Sequence, residues 1–324
     1  MSPMSAAGWS RREFLVSTAA AAGAVSLSGR AGAAKFKTTL KKAMIGKPTE
    51  EMLTSLKAAG FDGIESNDRA ATPEAAAAAR AVAEKLGLRI HSVLFGWANF
   101  NADDAAAVDA DIAAVEASLR AAQAYGADAV LLVPCRTKVA PIPDPWDFRI
   151  EFDAKTGHVT RVAEGDAAKY QAYIDAQNLA TDRSRKAVER LIPAAEKAGV
   201  VIAMENVWNN LWVQPALYAH FVASFKSRWV KSYFDIGNHV KYAPPEQWIR
   251  ALGANIAKCH IKDFKLNPDG HGGKFVHPRD GSVDWPLVRR TLDETGYSGW
   301  LTIEDGGLEL AEFSRRLDLI VAGT

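Results

Sequence analysis

Four side chains that could share one metal ion lie at the ends of four successive apolar runs in the second half of the chain. Each run has the length and the flanking turn residues that are typical of a buried β-strand. Polar groups at such strand ends, just before a loop, are where α/β enzymes place ligands and catalytic groups. The residues are Glu205 in Val200–Asn206, Asp235 in Val230–Asp235, His260 in Ile256–Asp263 and Glu304 in Gly299–Asp305.

Two glutamates, one aspartate and one histidine make a hard, mostly oxygen ligand set. Such a set suits one divalent ion, with Mn²⁺ preferred and Mg²⁺, Co²⁺ and Zn²⁺ as alternatives. Without a cation, three neighbouring carboxylates would repel and raise one another's pKa. Any one strand-end glutamate is more often a salt-bridge partner, so the prediction depends on all four successive ends.

Alternating short apolar runs and longer amphipathic patterns predict eight strands and seven helices after residue 38. This count favours a closed (β/α)₈ TIM barrel, in which the carboxyl ends of all strands surround one mouth. An open doubly wound sheet is the alternative, but it would need a glycine-rich phosphate loop, and Ile45-Gly46-Lys47-Pro48 is not one. The predicted strands are Thr39–Met44, Gly63–Ser66, Arg89–Leu94, Ala129–Pro134, Val200–Asn206, Val230–Asp235, Ile256–Asp263 and Gly299–Asp305, and the predicted helices are Thr49–Ala59, Pro73–Leu86, Asp103–Tyr125, Ala167–Ala198, Gln214–Ser227, Glu246–Leu252 and Trp285–Thr295.

Residues 136–166 interrupt this alternation after the fourth strand. The segment has no helical pattern, and two short apolar stretches flank Gly157 in a way that predicts a β-hairpin. A long insertion at this point lies on the catalytic face of a barrel, so we expect a lid or a subunit contact. A surface hairpin without a role is the alternative.

The composition predicts one catalytic domain over residues 34–324. The chain has 324 residues, 48% of them hydrophobic, and a net charge of +1. This length supports a sizeable core, and the near-neutral charge argues against nucleic acid as a partner. Cys135 and Cys259 lack any C-x-x-C spacing, so two separate buried thiols are predicted. A homo-oligomer is compatible with the sequence.

The first 33 residues have the pattern of a twin-arginine export signal. The motif Ser10–Leu15 contains Arg11 and Arg12, an apolar stretch follows, and Ala31-Gly32-Ala33 resembles a cleavage site. The apolar stretch is too short and too rich in Ala and Gly to span a membrane, so no membrane partner is expected after cleavage. We therefore expect export of the folded protein to the periplasm or another extracytoplasmic compartment. An ordinary amphipathic N-terminal helix is the alternative.

Several motifs together resemble the sugar phosphate isomerase/epimerase family of xylose isomerase-like barrels, which includes ketose 3-epimerases, L-xylulose 5-phosphate 3-epimerase and hydroxypyruvate isomerase. The resemblance implies that Glu205, Asp235, His260 and Glu304 bind one divalent metal. It also implies that Glu205 and Glu304 are the acid/base pair on the two faces of a bound sugar. The motifs are Met204-Glu205-Asn206, Tyr233-Phe-Asp235-Ile-Gly-Asn238, His260-Ile-Lys-Asp263-Phe, Gly281-Ser-Val-Asp-Trp285 and Gly296-Tyr-Ser-Gly-Trp-Leu-Thr-Ile-Glu304.

This ligand set suits the removal of a proton from carbon next to a carbonyl. A metal polarises the carbonyl and stabilises the enediolate, while one carboxylate takes the proton and the other returns one. The predicted function is a metal-dependent isomerase or epimerase of a small carbohydrate. Export and the lack of a phosphate loop favour a non-phosphorylated keto sugar. The alternatives are a lyase that eliminates the aglycone from a 3-keto-glycoside and a non-catalytic sugar-binding barrel.

Further residues near the predicted mouth are candidates for substrate binding. Relatives carry Asp-x-x-His after the sixth strand, but here Asn238 occupies that spacing and His239 follows it. This departure removes the basis for giving His239 a substrate contact, and it argues against the trinuclear-zinc endonuclease branch. The candidates are Glu65, His91, Trp97, Trp208, Asn238, Lys262 and His277, with Trp212 as a further part of an apolar wall and Asp263 as the alternative to Lys262.

Overall fold

The computed structural model describes residues 36–165 and 167–324. The predicted export signal over residues 1–33 lies outside this range, and it stays a prediction. Within the described part of the chain, no helix combines the length and the apolar character needed to cross a membrane.

Eight parallel strands form a closed barrel in the order β1–β2–β3–β4–β7–β8–β9–β12, and β12 pairs with β1 to close it. The four remaining strands form two separate hairpins, β5–β6 and β10–β11. The strands are β1 Leu40–Gly46, β2 Gly63–Ser66, β3 Arg89–Trp97, β4 Ala129–Val133, β5 Glu151–Phe152, β6 Val159–Arg161, β7 Val201–Glu205, β8 Val230–Asp235, β9 Ile256–Ile261, β10 Asp263–Leu266, β11 Gly273–Val276 and β12 Gly299–Ile303.

In the described part of the chain, eight α-helices surround the barrel strands. Several of them have a side-chain cap: Thr49, Thr72 and Asp284 each accept a hydrogen bond from a backbone N–H in the first turn of the helix that follows. The helices are α1 Glu50–Ala58, α2 Pro73–Lys85, α3 Ala105–Tyr125, α4 Gln171–Ala198, α5 Pro215–Ser224, α6 Pro245–Leu252, α7 Trp285–Glu294 and α8 Leu310–Ala322.

The structure confirms the predicted (β/α)₈ barrel, and each predicted strand lies within a few residues of an observed one. Two elements differ from the prediction. β9 ends at Ile261, two residues before the predicted end of this strand, and the chain then enters the hairpin β10–β11, which was not predicted. The helix α8 was not predicted at all. Both cysteines are buried and unpaired, as the sequence predicted.

Strand pairing places the polar strand ends beside one another. Asp235 on β8 is the register partner of His260 on β9, and Thr302 on β12 pairs with His260 from the other side. Glu205 ends β7 opposite Tyr233 of β8. The barrel register therefore sets the separation of the candidate ligands along the rim.

The described part of this segment, residues 136–165, packs against neighbouring loops. Phe148 contacts Tyr242 in the loop after β8, with ring centroids 5.8 Å apart. Trp146 stacks on His271 near the tip of the β10–β11 hairpin, at a centroid distance of 4.4 Å. The segment thus runs from the end of β4 past the loop after β8 to this hairpin, and its expected role as a lid stays a prediction. The expected subunit contact stays a prediction.

A single buried carboxylate fastens the base of the β10–β11 hairpin. Asp263 accepts hydrogen bonds from the backbone N–H groups of Phe264, Arg279 and Val283, at 2.8, 2.9 and 3.3 Å. It also accepts one from the indole N–H of Trp285 at 2.9 Å. The residue is fully buried, so it is not the member of the Lys262–Asp263 pair that reaches the site.

We predict that Asp263→Ala lowers the free energy of unfolding by about 2–4 kcal/mol, because several buried donors lose their acceptor. Urea denaturation followed by circular dichroism measures this. Asp269→Ala, at an exposed position near the hairpin tip where the carboxylate bonds only the N–H of His271, is the control and should change stability by less than about 0.5 kcal/mol. Equal effects of the two substitutions would contradict the role given to Asp263.

Candidate functional site

The four predicted ligands converge at the carboxyl end of the barrel. Glu205 ends β7, Asp235 ends β8, His260 lies near the end of β9, and Glu304 directly follows β12. One ligand atom from each residue lies within 4.8 Å of all the others. His260 Nδ1 is 3.3 Å from Glu205 Oε1 and 2.8 Å from Glu304 Oε2. Residues far apart in the sequence therefore present their donors to one small volume.

Backbone amides fix the carboxylate of Asp235. Its Oδ1 accepts hydrogen bonds from the N–H groups of Gly237 at 2.8 Å and Asn238 at 2.6 Å. The turn needs glycine at 237, because a Cβ there would lie 2.6 Å from the Cβ of Lys262 and 2.8 Å from its carbonyl carbon. Asp235 Oδ2 has no hydrogen-bond donor and stays available to a ligand.

A second buried carboxylate orients His260. Glu65 Oε2 lies 2.6 Å from His260 Nε2 and also accepts a hydrogen bond from the Tyr233 hydroxyl at 3.1 Å. With Nε2 engaged in this way, Nδ1 points toward Glu205 and Glu304. A carboxylate on the far nitrogen of a histidine is the usual way in which proteins orient a metal-binding imidazole.

Burial and charge act in opposite directions on the acidic groups. Burial raises the pKa of Glu205 and of Asp235 above their ordinary values. Burial would also raise the pKa of Glu304, but the neighbouring His260 and Lys262 outweigh it and lower this pKa. For His260, burial alone would lower the pKa, yet the carboxylates of Glu65 and Glu304 hold it well above its usual range.

Lys262 is the member of the Lys262–Asp263 pair that reaches the cluster. Its Nζ lies 2.8 Å from Glu304 Oε1 and 3.5 Å from Asp235 Oδ2. It also donates to Asn238 Oδ1 at 3.4 Å. This ammonium offsets part of the negative charge of the cluster.

The donor set fits a divalent cation. Asp235 Oδ2 and Glu304 Oε2 are both buried; the first accepts no hydrogen bond from any described residue, and the second has only the imidazole Nδ1 of His260 nearby, at 2.8 Å. Buried carboxylate oxygens with too few partners are costly, and a shared cation would supply the missing interaction. With the imidazole Nδ1 of His260, these oxygens form the mixed set that Mn²⁺, Mg²⁺, Co²⁺ and Zn²⁺ accept.

The structure places two of the predicted substrate contacts inside the barrel. His91 is fully buried, and its ring stacks on Trp300 with a centroid distance of 4.3 Å. Its Nδ1 lies 2.9 Å from Ser92 Oγ, and its Nε2 lies 3.1 Å from Thr302 Oγ1. Both ring nitrogens are therefore occupied. Glu65 is also fully buried against His260. These side chains point inward below the rim, so they act on the site through other residues and do not face the mouth.

The predicted apolar wall is only partly present. Trp97 and Trp208 lie at the mouth with 37% and 41% of their surface exposed, and the Arg136 guanidinium covers one face of Trp97 at 4.1 Å. Trp212 is buried and stacks on Phe221 at a ring-centroid distance of 4.1 Å, so the prediction that it forms part of the wall is wrong. Neighbouring tryptophans in one loop differ because only one side of the loop faces the mouth.

Asn238 and His239 point in different directions. Asn238 Nδ2 donates to the carbonyl of Asn206 at 3.0 Å and lies 3.5 Å from Glu205 Oε1, beside the ligand set. His239 is buried, 3.0 Å from the carbonyl of Val207 through Nε2, and packs away from the site. In this chain Asn238, and not His239, therefore lies beside the candidate ligands.

His277 lies near the edge of the mouth. Its Nδ1 is 2.7 Å from Asp305 Oδ2, so it pairs with the residue that follows Glu304. The two side chains share a shallow groove of about 450 Å³ with Lys265 and Lys274. The structure does not bring His277 to the four ligands.

Phe275 on β11 was missed by the sequence analysis. It is 44% exposed, its ring centroid lies 4.9 Å from that of Trp208, and Lys262 Nζ is 5.7 Å above its ring. The only signal was the short apolar stretch Phe275-Val276 within a glycine-rich segment. The role of Glu65 toward His260 was missed as well, because nothing in the sequence relates β2 to β9.

A separate cavity of about 590 Å³ opens at the amino end of the barrel. It is lined by basic and aromatic side chains that include Lys41, Arg228, Lys258 and Trp300. Lys258 is paired with Asp128 at 2.5 Å. None of the four candidate ligands lines this cavity.

Comparison with known proteins finds relatives that match part of the sequence and many solved structures with the same fold. L-ribulose-5-phosphate 3-epimerase UlaE from Escherichia coli O1:K1 / APEC is 32% identical over 136 residues, which are 41% of this chain and 45% of that protein. The chain thus matches about half the length of this curated relative. Two solved structures show the same fold. The first is 3-keto-D-glucoside 4-epimerase YcjR from E. coli, with a TM-score of 0.63 and 13% identity, and the match covers 87% of this chain and 99% of that chain. The second is the IOLI protein with a bound zinc atom, with a TM-score of 0.65 and 16% identity, and the match covers 87% of this chain and 98% of that chain.

The family model described as xylose isomerase-like TIM barrel matches residues 53–317. This match contains seven of the eight barrel strands, from β2 to β12, together with the four converging side chains. By this match and by its fold, the chain belongs to the xylose isomerase-like TIM barrel family.

Proposed function

We propose that this protein is a divalent-metal-dependent sugar isomerase or epimerase that moves a proton at a carbon next to a carbonyl. The observation that carries the proposal is that Glu205 and Glu304 approach the same imidazole nitrogen from two different strands, at 3.3 and 2.8 Å. Two carboxylates on two sides of one bound sugar are what proton removal and return require. The epimerase activity of the partial relative UlaE supports the same reaction class.

The bound ion would polarise the carbonyl of the substrate and offset the charge that develops on its oxygen. Glu205, Asp235, His260 and Glu304 would hold it. Of the four, the Glu304 side chain is the most accessible, with 32% exposed against 8% for Glu205. Glu304 is therefore the carboxylate that a substrate entering from the mouth reaches first, and it is our candidate for the base.

Lys262 keeps the candidate base in place. Its Nζ donates to Glu304 Oε1 at 2.8 Å, while Oε2 faces His260 Nδ1 at 2.8 Å. An ammonium at this distance favours the ionised carboxylate, which is the form that accepts a proton. Glu205 lies deeper, beside Asn238, and is our candidate for the group that returns a proton.

A non-phosphorylated substrate is part of the proposal. The lysine that contacts the cluster is already paired with two carboxylates, so a phosphate placed there would add charge to an acidic site. The twin-arginine pattern in the sequence supports work outside the cytoplasm, and we propose that location as well.

Elimination of the aglycone from a 3-keto-glycoside is the second candidate function. Glu304 would take the proton next to the carbonyl, the bond to the aglycone oxygen would break, and Glu205 would protonate that oxygen. Aromatic side chains exposed at the mouth, Trp208 and Phe275, favour a substrate that carries such a group.

We predict that Glu304→Gln and Glu205→Gln each lower kcat by about 10²–10⁴-fold, because a positioned acid or base contributes that much. Turnover is followed by chromatography on non-phosphorylated ketoses and 3-keto-glucosides, with deuterium uptake from the solvent at the carbon next to the carbonyl as a second readout. Metal content is measured for each variant. Glu309→Gln, an exposed position in the same loop, is the control. A loss below tenfold in a metal-loaded variant would end the acid/base assignment.

We predict that the purified protein binds one equivalent of Mn²⁺ and that Asp235→Asn weakens this binding at least tenfold, since the free carboxylate oxygen is lost. Isothermal titration calorimetry after removal of metal with a chelator gives both values. Asp318→Asn changes an exposed carboxylate on α8 that is paired with Lys42 of β1, and it should leave the affinity unchanged. Absence of stoichiometric metal in the unchanged protein would favour the alternative of a non-catalytic sugar-binding barrel.

We predict that Glu65→Gln lowers the affinity for Mn²⁺ about 10–100-fold, because the histidine loses the charged partner that orients it. The same calorimetry measures the affinity, and thermal unfolding reports whether the variant is folded. A folded variant with unchanged affinity would show that the contact between Glu65 and His260 has no part in metal binding.

A further inference from the structure

Exposed aromatic rings concentrate at the mouth of the barrel. Within residues 36–165 and 167–324, five large hydrophobic side chains are strongly exposed, and the three aromatic ones lie at the carboxyl end of the barrel: at the end of β3, after β7 and in the β10–β11 hairpin. Exposed aromatic surface grouped beside a binding site marks a surface that binds a ligand or a partner. The five are Trp97, Val139, Leu179, Trp208 and Phe275.

Trp208 and Phe275 form one continuous surface, which we call the aromatic platform. Their ring centroids are 4.9 Å apart, and both rings pack on the buried Phe264 at 5.7 and 5.2 Å. The indole N–H of Trp208 donates to the carbonyl of Asn238, so the ring is held by its polar edge. These contacts support the two rings from below while 41% and 44% of their surfaces stay exposed.

The aromatic platform begins directly beside the candidate ligands. Lys262 Nζ lies 5.7 Å from the centre of the Phe275 ring and 2.8 Å from Glu304 Oε1. On the other side, Asn238 links the Trp208 ring to Glu205. A sugar held between the two carboxylates would therefore direct one of its substituents over the platform.

The chemistry of this surface indicates what the substituent is. The polar cluster of carboxylates and Lys262 suits the hydroxyl groups of the reacting sugar, whereas the platform offers only ring faces and edges. Aromatic pairs prefer offset or tilted stacking with centroids about 4.5–7 Å apart, and they add to the gain from buried area. Lys241, whose Nζ lies 3.4 Å from the centre of the Trp208 ring, adds a cation that favours an electron-rich ring nearby. A free monosaccharide would leave this surface uncovered.

We infer that the substrate is a glycoside with a planar aromatic aglycone, and that the aromatic platform is the aglycone subsite. This inference rests on the proposed function of the same site. A glycoside has no free carbonyl at its anomeric carbon, so the carbonyl that the reaction requires must lie on another ring carbon. The substrate is thus a keto-glycoside, and the reaction that supplies it is the dehydrogenation of a ring hydroxyl of the parent glycoside.

The test compares phenyl 3-keto-β-D-glucopyranoside with its methyl counterpart, which differ only in the aglycone. In the metal-loaded protein, kcat/KM for the phenyl compound is expected to exceed that for the methyl compound about tenfold. Phe275→Ala and Trp208→Ala are expected to reduce this ratio below threefold. Leu179→Ala, which removes an exposed hydrophobic side chain on α4, is the matched control and should keep the full ratio.

Calorimetric binding of phenyl and methyl β-D-glucopyranoside provides a readout without chemistry, since neither compound has a carbonyl. The same tenfold preference, lost in Phe275→Ala, is expected. Equal kcat/KM and equal affinity for phenyl and methyl compounds would overturn the aglycone subsite even if turnover is high. Preferential binding of the phenyl glucoside without turnover of any keto sugar would support the subsite and overturn the proposed function. Released phenol would identify elimination, and a rearranged glycoside would identify epimerisation.

Discussion

Mutual repulsion among buried carboxylates is the constraint around which the barrel mouth is arranged. Glu65, Glu205, Asp235 and Glu304 all lie within one or two contacts of His260, and burial limits how far water can screen their charges. His260 and Lys262 offset only part of this charge. Asp235 Oδ2 accepts no hydrogen bond from any described residue, and one ligand atom from each of Glu205, Asp235, His260 and Glu304 lies within 4.8 Å of the others, so the arrangement favours a divalent cation at their centre.

The chain holds this unfavourable cluster together through contacts that do not involve a ligand. Backbone amides of the turn after β8 fix Asp235, and Glu65 fixes the imidazole of His260. Asp263 fastens the hairpin that follows β9. Because these contacts are buried and strongly hydrogen-bonded, the donors keep their positions, and little reorganisation opposes binding of the ion.

Two segments meet beside the mouth. The described residues 136–165 and the β10–β11 hairpin come together where Trp146 stacks on His271, on the side of the barrel that carries the candidate metal ligands. Phe275 on this hairpin and Trp208 in the loop after β7 add exposed ring faces next to the polar cluster. The barrel strands thus supply the acidic cluster, whereas the loops and the hairpin supply the aromatic surface beside it.

The sequence by itself determined the barrel and the four candidate ligands, because both depend on local patterns. Alternating apolar runs give eight strands, and Glu205, Asp235 and Glu304 stand at strand ends that one closed barrel must bring to the same rim. Other features were decided only by the tertiary structure. Glu65 meets His260 across the closed barrel, and Trp208 faces the mouth while Trp212 lies in the core, since such contacts depend on packing between distant elements. The β10–β11 hairpin escaped prediction for the same reason: its short, glycine-rich strands are stabilised by the buried carboxylate of Asp263 and not by their own pattern.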